Sequence, residues 1–312
     1  LDYALSHGIN FIDTAEMYPI PGRAETQGRT EEYIGSWIKA RGRRDDFVLA
    51  TKVTGRSQMS WIRRTGGTLR HTPAQIDEAV EGSLKRLGTD YIDLYQLHWP
   101  DRGLPGFGFH AYKDYDAEDM VPLEDILGAL ARHVEKGNIR HIGLSNESAW
   151  GTMKFLEIAK ARNWPRMATI QNAYSLVNRR FDYSQAEVTM REQVGLLAYS
   201  PMAQGYLSGK YRNSVPKNSR KDLFSSFLGR YEAFDSADAV NACLDAAAEL
   251  GITGTQFALK FVESRDFVTS NIIGATTLEQ LKENIDAHDI EWTSDMETAA
   301  DNIHRWYRSP AC

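Results

Sequence analysis

Cysteine is scarce in this chain of 312 residues: there are two, Cys243 and Cys312, far apart. Two such residues make neither a disulfide framework nor a zinc ligand set, and they fit a reducing compartment, the cytoplasm. No apolar run approaches the roughly 20 residues that a membrane-spanning helix needs. No secretory signal is visible at the start. An excess of positive charge is missing too. The net charge is −6, so neither a nucleic acid nor an anionic membrane is an expected partner. Low-complexity stretches and Pro/Gly/Ser linkers are absent. His71, His110, His133 and His141 show no metal-ligand spacing, and no metal is expected. The 42% of hydrophobic residues can bury a large core. The length suits two ordinary domains or one α/β barrel.

What the sequence has is alternation. Strand-like apolar runs begin near residues 9, 47, 91, 139, 168, 195 and 271, and stretches with helical spacing separate them. Leu1 to His7 reads as the tail of a helix stopped by Gly8. Thr30 is placed to cap a helix that carries Tyr33, Ile34, Trp37 and Ile38. Thr72 and Pro73 open a helix that Gly88 closes, and Gly137 closes another. Helical patterns also cover Ser148 to Ala161, Ser184 to Gln193, and Ser236 to Glu263 with a break near Gly251. Pro201 to Arg230 has little regular pattern, as expected of a binding loop or lid.

Strands alternating with helices imply parallel pairing and right-handed crossovers. The strands end on polar residues: Asp13, Lys52, His98, Ser145 and Asn146, Gln171 and Asn172, Tyr199 and Ser200. A closed ring aims all such ends at one mouth, whereas an open sheet gathers only its switch-point strands. The expectation is a single (β/α)8 TIM barrel domain over residues 1–312, with a terminal helix at about 294–308. Seven strands are countable and a barrel needs eight, so the first strand is expected upstream of Leu1.

Three strand ends thus offer an acid, an amine and an imidazole, with the phenol of Tyr18 just beyond the first. A carbonyl that accepts hydride must also take up a proton. A free phenol, with pKa about 10, donates poorly at neutral pH. A nearby ammonium such as Lys52 favours the phenolate. Asp13 would hold Lys52 charged, and His98 would orient the carbonyl oxygen. Each residue alone has an ordinary structural explanation; jointly they read as a reductase site with Tyr18 as proton donor. Trp61, Trp99 and Phe107 lie in loops on the same side and are candidates to line an apolar substrate pocket. GFGFHA has dinucleotide-fingerprint spacing but opens no helix, and it is set aside.

The segments INFIDTAEMY, FVLATK, YIDLYQLHWP, IRHIGLSN, IQNAYS, LLAYSPMAQGYLSGKY and IIGATTLEQLKENI resemble the aldo-keto reductase family over nearly the whole chain. The likeness is strongest to bacterial NADPH-dependent members related to potassium-channel β subunits. It implies a catalytic tetrad of Asp13, Tyr18, Lys52 and His98, and NADPH as cofactor. Ser145, Asn146 and Gln171 would bond the nicotinamide carboxamide, and Tyr199 would stack on its ring. Ser200, Pro201, Met202, Leu207, Gly209, Lys210 and Tyr211 would form the pyrophosphate loop. Gly274, Ala275 and Thr276 would open the last core helix, whose free N–H groups suit a phosphate. Gln280, Glu283 and Asn284 would meet the adenosine, and Arg220 the 2′-phosphate. The implied function is reduction of a small-molecule aldehyde or ketone to the alcohol. The alternative is a nicotinamide-nucleotide-sensing regulatory subunit with little turnover. The substrate and the oligomeric state stay open at this level.

Overall fold

Helix ends follow local signals. Helix α1 (Asp2–Ser6) stops where Gly8 takes a left-handed φ of +80°. Helix α3 (Pro73–Leu87) is capped by the Thr72 side chain on the Gln75 N–H and closed by a left-handed Gly88. Helix α2 (Arg29–Arg41) differs from expectation. Its N-cap is Gly28, with φ 81° and no side-chain cap, so Thr30 lies inside the first turn. A side chain at 28 would collide with Arg86, because a Cβ there would come within 2.6 Å of it.

The computed structural model describes residues 1–104, 112, 119–232 and 235–311. Phe107 lies outside them. Seven strands follow one another in sheet order β1 to β7, parallel wherever a register is defined. Parallel strands in chain order, alternating with helices, are the fold class of a (β/α)8 barrel. The described residues group into two compact units, one of residues 1–104, 112 and 119–170, the other of residues 171–232 and 235–311.

The first unit holds β1 (Phe11–Asp13), β2 (Val48–Val53), β3 (Ile92–Leu97), β4 (Ile139–Ser145) and the start of β5 (Met167–Ala173). Asp13 pairs in register with Ala50, and Lys52 with Gln96. Every residue of β3 is buried, the polar Asp93 and Gln96 included, so the strand shows no alternation of buried and exposed positions, as in a strand covered on both faces. Helices α3, α4 (Leu123–Glu135) and α5 (Ala149–Arg162) contribute Ile76, Val80, Leu127, Leu130 and Phe155 to this core. Gly35 lets α2 lie close on α3, since a Cβ there would sit 2.4 Å from the Arg86 carbonyl oxygen.

The second unit holds the end of β5, β6 (Gly195–Tyr199), β7 (Val268–Ile272) and the helices α6 (Gln185–Glu192), α7 (Arg220–Leu223), α8 (Ser236–Glu249), α9 (Gly254–Glu263), α10 (Leu278–Asp286) and α11 (Ser294–Trp306). Its core is aromatic at one end: Tyr174 stacks on Phe261 at 5.5 Å and Phe257 on Trp292 at 5.7 Å. The stretch from Pro201 to Arg230 is more ordered than its sequence suggests. It contains 3₁₀ turns at Ala203–Ser208 and Ser225–Tyr231 besides α7.

Candidate active site

The first unit gathers Asp13, Lys52, Tyr18 and His98. Asp13 ends β1, Lys52 is the penultimate residue of β2, and His98 directly follows β3. The Lys52 Nζ donates to Asp13 Oδ2 at 2.5 Å and to the Thr14 carbonyl at 2.8 Å. Gln96 Nε2, on the neighbouring strand, donates to Asp13 Oδ1 at 3.2 Å. Lys52 is fully buried. Burial works against its charge, but Asp13 and then Tyr18 outweigh it, and its pKa is raised above the ordinary lysine value. Its Nζ lies 5.1 Å from the centre of the Tyr18 ring, and the Tyr18 and His98 rings meet edge to face at 5.6 Å. Burial, then Lys52 and His71, hold the His98 pKa well below the ordinary range. The site therefore presents a charged ammonium, a phenol and a neutral imidazole side by side.

Residues that sequence reasoning missed hold the Tyr18 loop. Glu16 is buried; its Oε1 accepts from the Thr54 N–H at 2.6 Å, and both its oxygens accept from Arg63 at 2.8 Å. This bidentate pair, with both side chains about 1% exposed, ties the loop after β1 to the loop after β2. Gln27 donates to the Glu16 carbonyl and the Gly28 N–H to the Tyr18 carbonyl, which closes the loop on itself. Gln96 was equally invisible, because a polar residue inside an all-buried strand carries no periodic signal.

Asn146, left-handed at φ 53°, donates through Nδ2 to the His98 carbonyl at 2.9 Å and to Ser145 Oγ at 3.1 Å. Ser145 and Asn146 thus belong to the same cluster as His98. Trp99 adjoins His98, with ring centres 4.8 Å apart, and its Nε1 donates to the Arg56 carbonyl. Gly55 makes that approach possible, since a Cβ there would come 2.3 Å from the Trp99 carbonyl oxygen. Trp61 sits on a 3₁₀ turn (Ser60–Ile62) and is exposed.

His71 is fully buried beside this cluster, and burial pushes its pKa down to about 4 against the pull of the Asp101 and Glu16 carboxylates. A histidine held neutral when folded takes up a proton on unfolding between pH 4 and 6.5. Its contribution is complete above its unfolded pKa and is lost as pH falls through this window. Acidification from pH 7.5 to 5 should cost on the order of 2 kcal/mol through this residue. Urea melts at both pH values would show a smaller acid loss in His71→Gln; an unchanged acid loss would contradict the assignment.

In the second unit, Gln171 is buried in β5, Tyr199 ends β6, and the Tyr174 N–H donates to the Tyr199 carbonyl. The chain then runs through left-handed residues Ser200, Ala203, Gln204, Gly205 and Gly209. Within this run the N–H groups of Ala203, Gly205, Leu207 and Gly209 bond back to the carbonyls of Ser200, Met202 and Tyr206, which fixes the loop as a series of tight turns. Pro201, Leu207 and Tyr211 are buried beneath the loop, Met202 is half-buried and Lys210 is exposed. The Lys210 side chain lies across Gly205, where a Cβ would come within 3.0 Å of Nζ. Gln204 Oε1 and Asn284 Nδ2 are buried without a hydrogen-bond partner among the described residues. Arg220 is exposed on α7. Gly274, Ala275 and Thr276 do not open α10. The helix begins at Leu278 with Thr277 as N-cap, because the Thr277 hydroxyl accepts from the Gln280 N–H. The three residues form the turn ahead of it. Gln280 Oε1 accepts from the Thr276 N–H and hydroxyl and stabilises that turn; Glu283 is exposed.

Among the described residues no group of three or more His, Cys, Asp or Glu could hold a metal ion, and no helix is long and apolar enough to cross a membrane. Comparison with known proteins matches residues 1–305 to the model of the Aldo/keto reductase family. The chain is 46% identical over 314 residues to the protein tas of Escherichia coli (strain K12), covering 100% of this chain and 90% of that protein. It is 30% identical to the L-glyceraldehyde 3-phosphate reductase of Escherichia coli (strain K12), over 91% of this chain and 76% of that one. It is 29% identical to a putative voltage-gated potassium channel subunit beta of Schizosaccharomyces pombe (strain 972 / ATCC 24843), over 92% and 77%. A whole-length family match, strands in sequential parallel order, and an acid, an amine and an imidazole at three strand ends agree: the chain belongs to the aldo/keto reductase family.

Proposed function

We propose that the protein reduces aldehydes or ketones to alcohols with NADPH, and that Tyr18 protonates the nascent alkoxide. The observation that carries this is the buried Lys52, held charged between Asp13 and Tyr18. An ammonium beside a phenol stabilises the phenolate left by proton donation. Neutral His98 can donate an N–H to the carbonyl oxygen and aim it at the phenol. Asp13, fixed by Gln96 as well as by Lys52, keeps the ammonium in place. Bulk solvent then reprotonates Tyr18.

The cofactor, when bound, supplies hydride to the carbonyl carbon. Residues of the second unit fit such a dinucleotide. The tightly turned segment from Ser200 to Gly209, with left-handed Ala203, Gln204 and Gly205 in succession, is read as the pyrophosphate loop, with Lys210 adding charge. The unpartnered amide atoms of Gln204 and Asn284 suit polar groups of a nucleotide. Tyr199 is read as the aromatic on the nicotinamide face, with Ser145, Asn146 and Gln171 at its carboxamide. Lys210 and Arg220 are the candidates for the 2′-phosphate.

The test is steady-state oxidation of NADPH with a panel of small aldehydes and ketones. Carbonyl-dependent turnover is expected; NADPH binding without turnover on any of them would sink the reductase reading. NADPH should also bind more tightly than NADH. A charge-assisted hydrogen bond contributes about 1.5–3 kcal/mol, which is roughly tenfold to a hundredfold in affinity. Titration of nicotinamide fluorescence measures this, and equal dissociation constants would remove Lys210 and Arg220 from the phosphate site.

A further inference from the structure

The loops around the candidate catalytic residues of the first unit are laced together by buried ion pairs. Glu16, after β1, pairs with Arg63, after β2, through two bonds of 2.8 Å. Arg70, also after β2, reaches Asp101, after β3, from Nε at 2.8 Å and from Nη2 at 2.7 Å. Arg102, the next residue, reaches Glu147, after β4, from Nη1 at 3.0 Å and also from Nη2. Each pair joins one loop to the next in sheet order, and the three carboxylate residues are at most 5% exposed. The third pair has the most support around it. Glu147 Oε1 also accepts from the Ser148 N–H at 2.6 Å and from the Ser148 hydroxyl at 3.1 Å, and that hydroxyl caps α5 by accepting the Gly151 N–H. The Arg102 guanidinium stacks over the Trp150 ring at 4.9 Å. Gly151 leaves room for the pair, since a Cβ there would come 2.2 Å from Glu147 Oε1 and 2.5 Å from Arg102 Nη2.

A buried ion pair adds little net stability, because desolvation offsets most of the attraction. Placement is what a guanidinium–carboxylate fork fixes well: two parallel hydrogen bonds set an angle as well as a distance. Glu147 stands next to a residue that needs placing. Asn146 precedes it, left-handed, and donates to the His98 carbonyl at 2.9 Å. A left-handed backbone at a residue other than glycine persists where its surroundings fix it. The short segment from His98 to Arg102 is thus tied to the chain at 146–147 at both its ends, by Asn146 at His98 and by Glu147 at Arg102. We propose that Arg102 and Glu147 are positioning residues, whose ion pair holds His98 and Asn146 in the one relative placement that hydride transfer to the carbonyl requires. In this role neither residue touches the reactants; both act through His98 and Asn146. The inference rests on the reductase reading and adds a positioning pair to that site.

The test follows NADPH oxidation in a single turnover, with enzyme in excess of NADPH and the carbonyl compound that the wild type reduces fastest. Arg102→Lys keeps a charge beside Glu147 and loses the fork. Hydride transfer should slow by at least about tenfold, the scale of a small misplacement at a reacting centre. The NADPH dissociation constant should stay within a few-fold. Deuteration of the transferred hydrogen should lower kcat by a larger factor in the variant than in the wild type. Glu147→Gln keeps the shape and the bond from the Ser148 N–H; it should show the same changes, and it stands in if the lysine variant fails to fold. The control is Arg44→Lys. Its comparably buried pair with Asp93 lies at the start of β3, the opposite end of that strand from His98. Arg44→Lys should lower the urea midpoint without slowing hydride transfer. Wild-type hydride transfer in folded Arg102→Lys or Glu147→Gln, or equal slowing in Arg44→Lys, would overturn the positioning role and leave the reductase reading standing. A wild-type enzyme that binds NADPH yet passes hydride to no aldehyde or ketone of the panel would bring both down.

Discussion

Tyr18→Phe is expected to lower the turnover number for carbonyl reduction by about 10²–10⁴-fold, the usual contribution of a positioned general acid. Phenylalanine keeps the ring that meets His98 edge to face and lies over the Lys52 ammonium. It removes the hydroxyl alone. The loop should survive the change, because its ties run through the Tyr18 backbone, Glu16 and Gln27. NADPH affinity should therefore stay within a few-fold, and the loss should appear in kcat. A variant that kept a tenth or more of wild-type turnover would show that the proton comes from elsewhere.

Lys52→Met should be damaging in two separable ways. Turnover should fall by at least about 10²-fold, comparable to deleting one transition-state donor. Stability should fall by about 3–5 kcal/mol, because the Asp13 carboxylate loses its ammonium partner at a nearly dry position. Removing both charges, as in Asp13→Asn with Lys52→Met, should recover much of the stability and none of the turnover. Urea melts of the single and double variants measure the first, and steady-state kinetics the second. Equal stability of Lys52→Met and wild type would mean that Asp13 does not depend on this ammonium. The pH range is set by the raised pKa of Lys52. The folded chain binds its proton more tightly than the unfolded chain does. Its contribution is therefore full below the ordinary lysine value and fades only as pH climbs through the raised one. Lys52 should contribute fully at neutral pH, and its part is lost only in strong alkali.

The sequence made the frame legible where one residue type had one reason to be there. Gly88 and Gly137 take left-handed conformations at helix ends, and Thr72 with Pro73 opens α3. Asp13, Lys52 and His98 were readable because each stands at or next to the end of an apolar run. What stayed hidden was set by packing. Thr30 looked like a cap, yet Gly28 precedes the helix, in a left-handed conformation of φ 81° that a residue with a side chain rarely adopts. Gly274 to Thr276 looked like a helix start, but Thr277 caps α10 and Gln280 folds back on Thr276. Glu16 and Arg63 are far apart in sequence and meet only when the first two βα loops are in place.

The buried Glu16–Arg63 pair has a consequence for how this enzyme can change. The loop that presents Tyr18 and the loop from Thr54 to Leu69 share one ion pair and the Thr54 N–H contact, so they are inherited as a single module. Transplanting the second loop from a relative would bring a new surface to the mouth and, unless an arginine came with it, would strand Glu16 in the interior. Divergence of substrate range along this edge is therefore constrained to move through positions outside that pair, such as exposed Trp61, or to replace both partners together.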